Sequence, residues 1–250
     1  MSGHSKWAQI KRAKGAADVK RGQAFTKLGR EISVAVREGG PSPEANPRLR
    51  LAVERARAAN MPFDTIERAI KRAAGGADGA TLDQVIYEGY GPGGAALLVE
   101  VLTDNRNRAV AEVRNVFSRS GGNLGEAGCV AWMFEQRGVL VVEAGSKDPD
   151  EIGLQAIDAG ADDVRVDGDV VEIYTEPAQL EAVRTSVAEQ DVQVASAEIG
   201  MIAKAPITLE PKAAGATLRL MERLEDLDDV QKVYTNLEIS EEAVAEYAQR

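Results

Sequence analysis

The chain contains 250 residues, 44% of them apolar and 28% charged, and carries a formal net charge of −10. This length suffices for two or three folded domains, and the composition is that of an ordinary globular protein. A single cysteine excludes an intrachain disulfide, and without a membrane-spanning or signal-peptide stretch we expect a cytoplasmic location.

The charge is unevenly distributed along the chain. Residues 1–74 contain 16 Lys and Arg against 7 Asp and Glu, whereas residues 75–250 contain 14 against 33. The two balances are therefore +9 and −19. Such an asymmetry is typical of a basic module that binds a polyanion, even when the whole chain is acidic. We expect the N-terminal part to be the binding surface.

The first 22 residues have the pattern of an arm rather than of a core helix, because Gly3, Gly15 and Gly22 interrupt them. Cations spaced along such a segment can follow a phosphate backbone: Lys6, Lys11, Arg12, Lys14, Lys20 and Arg21. The alternative is a solvated basic tail. Trp7 could stack on an unpaired base or, alternatively, pack on the helices behind it.

Three amphipathic helices follow the arm. Helical periodicity places one apolar stripe on each of the segments 24–37, 47–59 and 64–73, with Asn46 and Asp64 as N-caps for the second and third. The opposite faces are basic and include Lys27, Arg30, Arg68, Lys71 and Arg72. Three such helices most simply form a small bundle with a cationic outer surface. The candidate nucleic-acid-binding residues are Lys6, Trp7, Lys11, Arg12, Lys14, Lys20, Arg21, Lys27, Arg30, Arg68, Lys71 and Arg72.

Beyond Gly75 the pattern changes to strands alternating with helices. We predict strands at 84–90 and 95–102, a helix at 105–120 capped by Thr103 or Asp104, and a strand at 129–134. A complete βαββαβ set follows, with strand 138–143, helix 149–159, strands 163–166 and 170–175, helix 177–189 and strand 192–199. This order is typical of a ferredoxin-like sandwich. A strand at 207–209, a helix at 211–225 and a strand at 230–236 could then complete the first half-built unit.

The predicted fold class is therefore α+β. A basic arm and three-helix bundle at 1–75 precede two ferredoxin-like α/β sandwich domains, one of which is inserted into the other. The split domain comprises 80–135 plus 205–240, and the inserted domain comprises 136–204.

The chain offers little for catalysis. With one histidine (His4) and one cysteine (Cys129), zinc sets and a buried Ser-His-Asp triad are excluded unless His4 itself serves in the arm. A lysine-based or paired-carboxylate enzyme stays open as an alternative. We expect no enzyme activity, no catalytic residues, no metal and no cofactor. Arg106 and Arg108, cations in an acidic region, either pair with nearby carboxylates or have a functional role.

Several stretches resemble the YebC/PmpR family. They are GHSKWAQIKRAKGAADVKRGQAFTKLGREI, GGPSPEANPRLRLAVERARAANMPFDTIERAIKR, YEGYGPGGAALLVEVLTDNRNRAVAEVR and GGNLGEAGCVAWMF. The resemblance implies the same three-domain arrangement and a DNA-binding transcriptional regulator. The mitochondrial relative in the family is a translational activator of cytochrome c oxidase, and some bacterial members are thought to help ribosomes through proline runs.

Three functional hypotheses therefore stay open. The first is a nucleic-acid-binding regulator, whose target is DNA or ribosomal RNA. The second is an adaptor that acts through proteins alone, and the third is an unrecognised enzyme. The acidic sandwiches should turn away from a polyanion, so we expect them to face basic partners such as ribosomal proteins. No membrane partner is expected.

Overall fold

The computed structural model of the chain describes residues 6, 7, 10, 19–75, 82–190 and 192–249. Within those residues the protein contains eight helices of more than one turn and two four-stranded antiparallel sheets, which confirms the predicted α+β class. The elements form three units, named here the bundle, the split sandwich and the inserted sandwich. None of the described helices is long and apolar enough to cross a membrane.

The bundle consists of helices α1 (Val19–Gly39), α2 (Pro47–Ala58) and α3 (Phe63–Ala74). Their apolar stripes meet in one cluster in which Ile32, Leu49 and Ile66 are almost completely buried. Asn46 caps α2 as predicted, since its side chain accepts a hydrogen bond from the amide of Leu49. The predicted stripes are therefore correct, and their packing leaves the charged residues on the outside.

The split sandwich is built from two separated parts of the chain. It contains β1 (Asp83–Tyr90), β2 (Ala96–Thr103), helix α4 (Arg106–Arg119) and β3 (Asn123–Leu124), and later α7 (Pro211–Glu225), β8 (Val230–Thr235) and α8 (Glu241–Ala248). The strand order is β3-β1-β2-β8. The three helices cover one face of the sheet. Two strands precede the first helix, so the connectivity differs from βαββαβ although the layers are similar.

The inserted sandwich occupies the segment between β3 and α7. Its elements are β4 (Phe134–Glu143), α5 (Pro149–Asp158), β5 (Asp163–Asp167), β6 (Val170–Thr175), α6 (Leu180–Ala188) and β7 (Gln193–Ala203). The strand order β5-β6-β4-β7, with every neighbouring pair antiparallel, is the ferredoxin-like arrangement that the sequence predicts. Both helices pack on one face, against Leu140, Val142 and Ile173.

Strand β2 is buried on both faces of its sheet. Leu97 and Val99 face the three helices, whereas Ala96 and Leu98 face the segment around Val130 and the end of β7. This double coverage explains why residues 96–102 of β2 are all apolar except Glu100, instead of alternating between apolar and polar. The inserted sandwich therefore contributes directly to the core of the split sandwich.

Four local predictions are wrong, and the fourth is the strand at 207–209, where only an isolated bridge between Ile207 and Leu237 forms. The Asp64 side chain does not cap α3, because the helix begins at Phe63 after Pro62, and Asp64 lies in the first turn. Asn105, rather than Thr103 or Asp104, caps α4. The predicted strand 129–134 is a turn and a short 3-10 helix, and β4 begins only at Phe134.

The carboxylate of Glu88 explains the third error. Glu88 is a buried residue of β1, and its carboxylate accepts hydrogen bonds from the amides of Gly128 (2.6 Å), Val130 (2.8 Å) and Ala131 (2.7 Å). Amides that point at one carboxylate cannot pair with a neighbouring strand. We name residues 125–133 the Glu88 loop. It presents Trp132, whose side chain is 66% exposed and whose indole nitrogen donates to the carbonyl of Cys129.

Candidate nucleic-acid interface

Most of the described cations of the bundle fall into two groups. One group turns toward the sandwiches and fixes the bundle against them, with Lys27, Arg30, Arg50 and Arg55 as its members. The other group lies on the outer faces and is exposed to solvent: Arg37, Arg57, Arg68, Lys71 and Arg72. Helical periodicity shows which residues avoid the core of the bundle, but it cannot separate these two groups.

Arg30 makes the central contact of the first group. Its Nη1 donates to Asp229 Oδ1 at 2.7 Å and to the carbonyl of Asp228 at 2.7 Å, at the end of the split sandwich next to β8. Asp229 is only 4% exposed and also accepts from Arg108 Nη2 (2.7 Å) and Thr103 Oγ1 (2.8 Å). Burial raises the pKa of Asp229, but the bonds from Arg108 and Thr103 and the charge of Arg30 outweigh it, so the net pKa is lowered.

Lys27 and Arg55 contact the other units in the same manner. Lys27 Nζ donates to the carbonyl of Glu225 at the end of α7. Arg55 bridges Glu31 of its own bundle and Glu198 of β7, at 2.6 Å each. Burial lowers the pKa of Arg55, but the negative charges of Glu31 and Glu198 raise it by a larger amount. The net pKa is therefore raised, and the guanidinium stays protonated. Lys27 and Arg30, both predicted to bind nucleic acid, therefore serve as contacts between units in this structure.

Arg37, Arg68 and Arg72 of the outer group line a groove between α1 and α3. We name it the arginine groove; its volume is about 500 Å³, and its floor includes Phe25, Met61 and Ala69. Arg30 of the first group also lines the groove, although its Nη1 is bonded to Asp228 and Asp229. Among the described residues the lining contains no carboxylate. An apolar floor with a rim of guanidinium groups matches a sugar-phosphate backbone, whose charges lie outside its less polar sugars.

The exposed cations of α3 keep donors available. Arg68 donates to the carbonyl of Asp64 (3.1 Å) and to Thr65 Oγ1 (3.2 Å), which uses two of its five N–H groups. Among the described residues, Lys71 pairs with Glu67 of its own helix at 3.2 Å, in a solvent-exposed contact. Within the described part of the chain the side chain of Arg72 has no polar partner. The predicted residues Arg68, Lys71 and Arg72 therefore lie where a polyanion could reach them.

Trp7 lies in the core of the split sandwich. Its side chain is 1% exposed, and its Nε1 donates to Glu225 Oε2 at 3.1 Å. In this position neither face of the indole is open to a base, so the structure agrees with packing, although against the split sandwich rather than against the bundle. Lys6 beside it pairs with Asp167 of β5 at 3.4 Å. Lys6 and Trp7 are thus held by the acidic part of the chain.

The remaining predicted residues of the arm are not all described. Lys11, Arg12 and Lys14 lie outside the described residues. Lys20 and Arg21 belong to the first turn of α1, but only their backbone is described. Their assignment as phosphate ligands stays a prediction.

Sequence reasoning missed part of the arginine groove. Arg37, Thr26 and Ser33 line it, yet none of them is among the predicted binding residues. Arg37 could have been predicted from the sequence, because the helical wheel places it opposite the apolar stripe of α1. Thr26 and Ser33 could not have been predicted as groove residues. Each hydroxyl donates to a carbonyl one turn earlier, and this contact is common in helices of any function.

Arg106 and Arg108 pair with carboxylates, which agrees with the first of the two alternatives considered for them, pairing or a functional role. Arg106 Nε lies 2.7 Å from Asp83 Oδ2, and Arg108 contacts Asp104 and Asp229. Among the described residues no group of three or more His, Cys, Asp and Glu side chains could hold a metal ion.

Comparisons with known proteins agree on one family. A family model described as the TACO1/YebC protein N-terminal domain matches residues 5–76, and one described as the TACO1/YebC second and third domain matches residues 82–237. A probable transcriptional regulatory protein from Chloroflexus aurantiacus is 56% identical over 250 residues, which cover 99% of each chain. One from Dehalococcoides mccartyi is 54% identical over 247 residues, covering 99% of this chain and 98% of the relative.

A solved structure is similar as well. The crystal structure of a conserved hypothetical protein from Aquifex aeolicus superimposes with a TM-score of 0.82 at 46% sequence identity. The match covers 90% of this chain and 93% of that chain. The α+β fold described above is therefore also found in an experimental structure of a similar chain.

Proposed function

Because the chain belongs to the TACO1/YebC family, whose curated relatives are named probable transcriptional regulatory proteins, we propose that it is a nucleic-acid-binding regulator of gene expression. We propose further that it acts without catalysis. The observation that supports the binding role most directly is the arginine groove of the bundle.

The mode of binding that we propose is contact with phosphates. Arg68, Lys71 and Arg72 project from one exposed helix, and a guanidinium can bind a phosphate through two parallel N–H bonds. The other cations of the arm, Lys11, Arg12, Lys14, Lys20 and Arg21, would extend this contact along the same backbone. A helix that reads base edges in a major groove typically carries Asn or Gln near its N-terminus. The described helix α3 contains neither residue type. Binding should therefore depend strongly on salt and weakly on base sequence.

The acidic sandwiches influence which target fits. Residues 75–250 carry a balance of −19, so a long duplex that ran past the bundle would be repelled by them. A compact target whose neighbours include basic proteins avoids this repulsion. For this reason we keep a ribosomal-RNA-binding translation factor as the second candidate function beside the DNA-binding regulator. Cytoplasmic location and basic protein partners belong to the same proposal.

The groove is tested by removing its cations in the full-length protein. Arg68→Ala/Arg72→Ala should weaken binding to every sequence tested and reduce the slope of log affinity against log salt by roughly 0.7 to 0.9 for each phosphate that is no longer bound. Arg165→Ala/Arg223→Ala removes the same charge from the two sandwiches and should leave the slope almost unchanged. Fluorescence anisotropy with labelled duplex DNA and hairpin RNA measures both. Equal slopes for the two variants would contradict the assignment.

The target class needs a measurement in cells. Crosslinking followed by sequencing of the bound nucleic acid would return promoter fragments from a transcriptional regulator and ribosomal RNA from a translation factor. Sedimentation of lysate with and without RNase provides an independent check. A protein that stays at the top of the gradient in both samples, yet footprints a defined promoter, would exclude the ribosomal candidate.

A further inference from the structure

Helix α5 of the inserted sandwich exposes an apolar flank. The helix buries Ile152, Gly153 and Ala156 against its sheet, as an amphipathic helix should. On the adjoining flank, however, Leu154 is 68% and Ile157 is 44% exposed. Residues three apart are neighbours on a helix surface, so the two side chains form one patch rather than two isolated contacts with water.

The patch continues onto the edge of the sheet. Gly153 packs closely on Val164 of β5, since a Cβ at this glycine would lie 3.1 Å from Val164 Cγ1. Val166 is two residues further along the strand, on the same face, and it is exposed. Strand β5 is the outermost strand of its sheet. Leu154, Ile157 and Val166 therefore border one open corner of the inserted sandwich, which we name the α5–β5 corner.

Carboxylates surround this corner. Asp150 and Glu151 lie four and three residues before Leu154, and Asp158 lies four residues after it, so all three project beside that side chain. Within the described part of the chain none of the three carboxylates has a cationic partner. Residues 147–169 together hold eight Asp and Glu against two Lys and Arg. The corner has an apolar centre and an acidic rim. In this rim Asp150, Glu151 and Asp158 are unpaired among the described residues, whereas Asp162, Asp163 and Asp167 pair with Arg137, Arg165 and Lys6.

This combination of charge and exposure selects one class of ligand. Nucleic acids and anionic membranes would be repelled by the rim, and so would the same corner of a second copy. A cationic peptide would be attracted, and apolar side chains on it would cover Leu154 and Ile157. We propose that the α5–β5 corner binds a Lys- or Arg-rich amphipathic segment of a protein partner.

The proposal goes beyond nucleic-acid binding, because the corner lies on a different unit from the arginine groove. It gives the basic surface and the acidic surface of the molecule different partners. The bundle contacts a polyanion, while the corner contacts a polycation on a neighbouring protein. Charge steers the encounter, and the apolar centre determines how long the complex lasts.

The test uses the full-length protein and two synthetic peptides. The probe is made of lysine and leucine arranged to be amphipathic as a helix, and its control has every leucine replaced by serine. Titration calorimetry at near-physiological salt should show binding of the probe and at least tenfold weaker binding of the control. Leu154→Ser/Ile157→Ser keeps the charge of the corner and should weaken probe binding on the order of tenfold. Chemical-shift mapping should place the probe on α5 and β5.

Matched variants separate the corner from general attraction. Phe63→Ser removes an apolar side chain that is 57% exposed on the basic bundle, and it should not change the affinity. Asp150→Asn/Asp158→Asn keeps the apolar centre and should reduce the association rate and its dependence on salt. Far-ultraviolet circular dichroism confirms that each variant is folded.

Three results would overturn the proposal. If the serine peptide bound as tightly as the leucine peptide, the apolar centre would not contribute to binding and the corner would attract peptides by charge alone. Native affinity of Leu154→Ser/Ile157→Ser for the probe would place the binding site elsewhere. Light scattering that showed a dimer of the native protein, absent in this double variant, would assign the corner to an interface between copies of the chain.

Discussion

The rings of Trp7 and Tyr247 meet edge to face, with their centroids 5.4 Å apart and their planes at 75°. This geometry is favourable for aromatic pairs. It joins a residue near the start of the chain to the last helix, α8, inside the core of the split sandwich. Trp7, one residue of the predicted basic arm, is therefore fixed to the acidic part of the molecule.

We predict that Trp7→Ala destabilises the protein by about 3–5 kcal/mol, because it opens a cavity in a packed core and removes the hydrogen bond to Glu225. Trp7→Phe should cost less, since it retains much of the ring. Urea unfolding followed by circular dichroism measures both. Trp132→Ala, at a side chain 66% exposed, is the matched control and should stay within about 0.5 kcal/mol of the native protein. A native-like midpoint for Trp7→Ala would contradict the buried position.

The contact between Arg30 and Asp229 should stabilise the bundle against the split sandwich. Arg30→Ala leaves a buried carboxylate with fewer partners, so we predict a loss of about 1–3 kcal/mol. In a double-mutant cycle with Asp229→Ala the two effects should be clearly non-additive. The exposed pair Glu67 and Lys71 provides a control cycle, with an expected coupling of about 0.3–0.5 kcal/mol. Additive effects at Arg30 and Asp229 would show that the contact does not form in solution.

The lowered pKa of Asp229 predicts a specific dependence of stability on pH. A carboxyl with a lower pKa in the folded than in the unfolded protein takes up a proton on unfolding, so stability falls as the pH falls. The contribution of Asp229 to the free energy of unfolding is complete above pH 3.8, the ordinary pKa of an aspartate. It is lost as the pH decreases through the lower pKa that Asp229 has in the folded protein.

In Asp229→Asn this part of the acid sensitivity should disappear, although the variant is less stable at neutral pH. Urea midpoints measured at a series of pH values from neutral to below 3.8 test the prediction. Asp150→Asn, at an exposed carboxylate of α5, is the control and should follow the native curve. An Asp229→Asn curve parallel to the native one would refute the assignment.

Glu88 should control the order of the Glu88 loop. Glu88→Gln replaces a carboxylate oxygen by an amide that cannot accept hydrogen bonds, so at least one of the three loop amides loses its partner. We predict a loss of about 2 kcal/mol and faster hydrogen exchange at Gly128, Val130 and Ala131. Glu126→Gln, an exposed substitution in the same loop, should leave those exchange rates unchanged. Unchanged exchange in Glu88→Gln would mean that the loop is held by other contacts.

Much of the fold could be predicted from the sequence because local patterns specify it. The stripes of α1, α2 and α3 and the βαββαβ order of the inserted sandwich follow from periodicity alone. The predicted bounds of helix α7 and strand β6 equal the observed ones. The strand predicted at 129–134 is wrong because the conformation of that segment depends on Glu88, which lies some 40 residues earlier. Strand β3 pairs with β1 over only two residues and carries too weak a pattern to predict.

The candidate site was less predictable than the fold. Charge counts identify the bundle as the basic unit, and Arg68, Lys71 and Arg72 are exposed as expected. Lys27 and Arg30 have the same residue types and lie on charged faces of the same bundle, yet they contact the split sandwich. Their partners Glu225 and Asp229 are nearly 200 residues away in sequence. A single sequence contains no local signal for such a contact, so the two functions of these cations cannot be separated without the structure.

The insertion of one sandwich into the other has a consequence for synthesis on the ribosome. Strand β2 pairs with β8, with Leu97 opposite Thr235, and every residue of the inserted sandwich is made between them. The inserted sandwich has all four of its strands as soon as β7 emerges, so it can fold as a unit while β2 still lacks its outer neighbour. The apolar run of β2 must meanwhile be protected by its hairpin with β1 and by α4. The split sandwich, although it begins first, is therefore completed last, after β8 and α8 have left the exit tunnel.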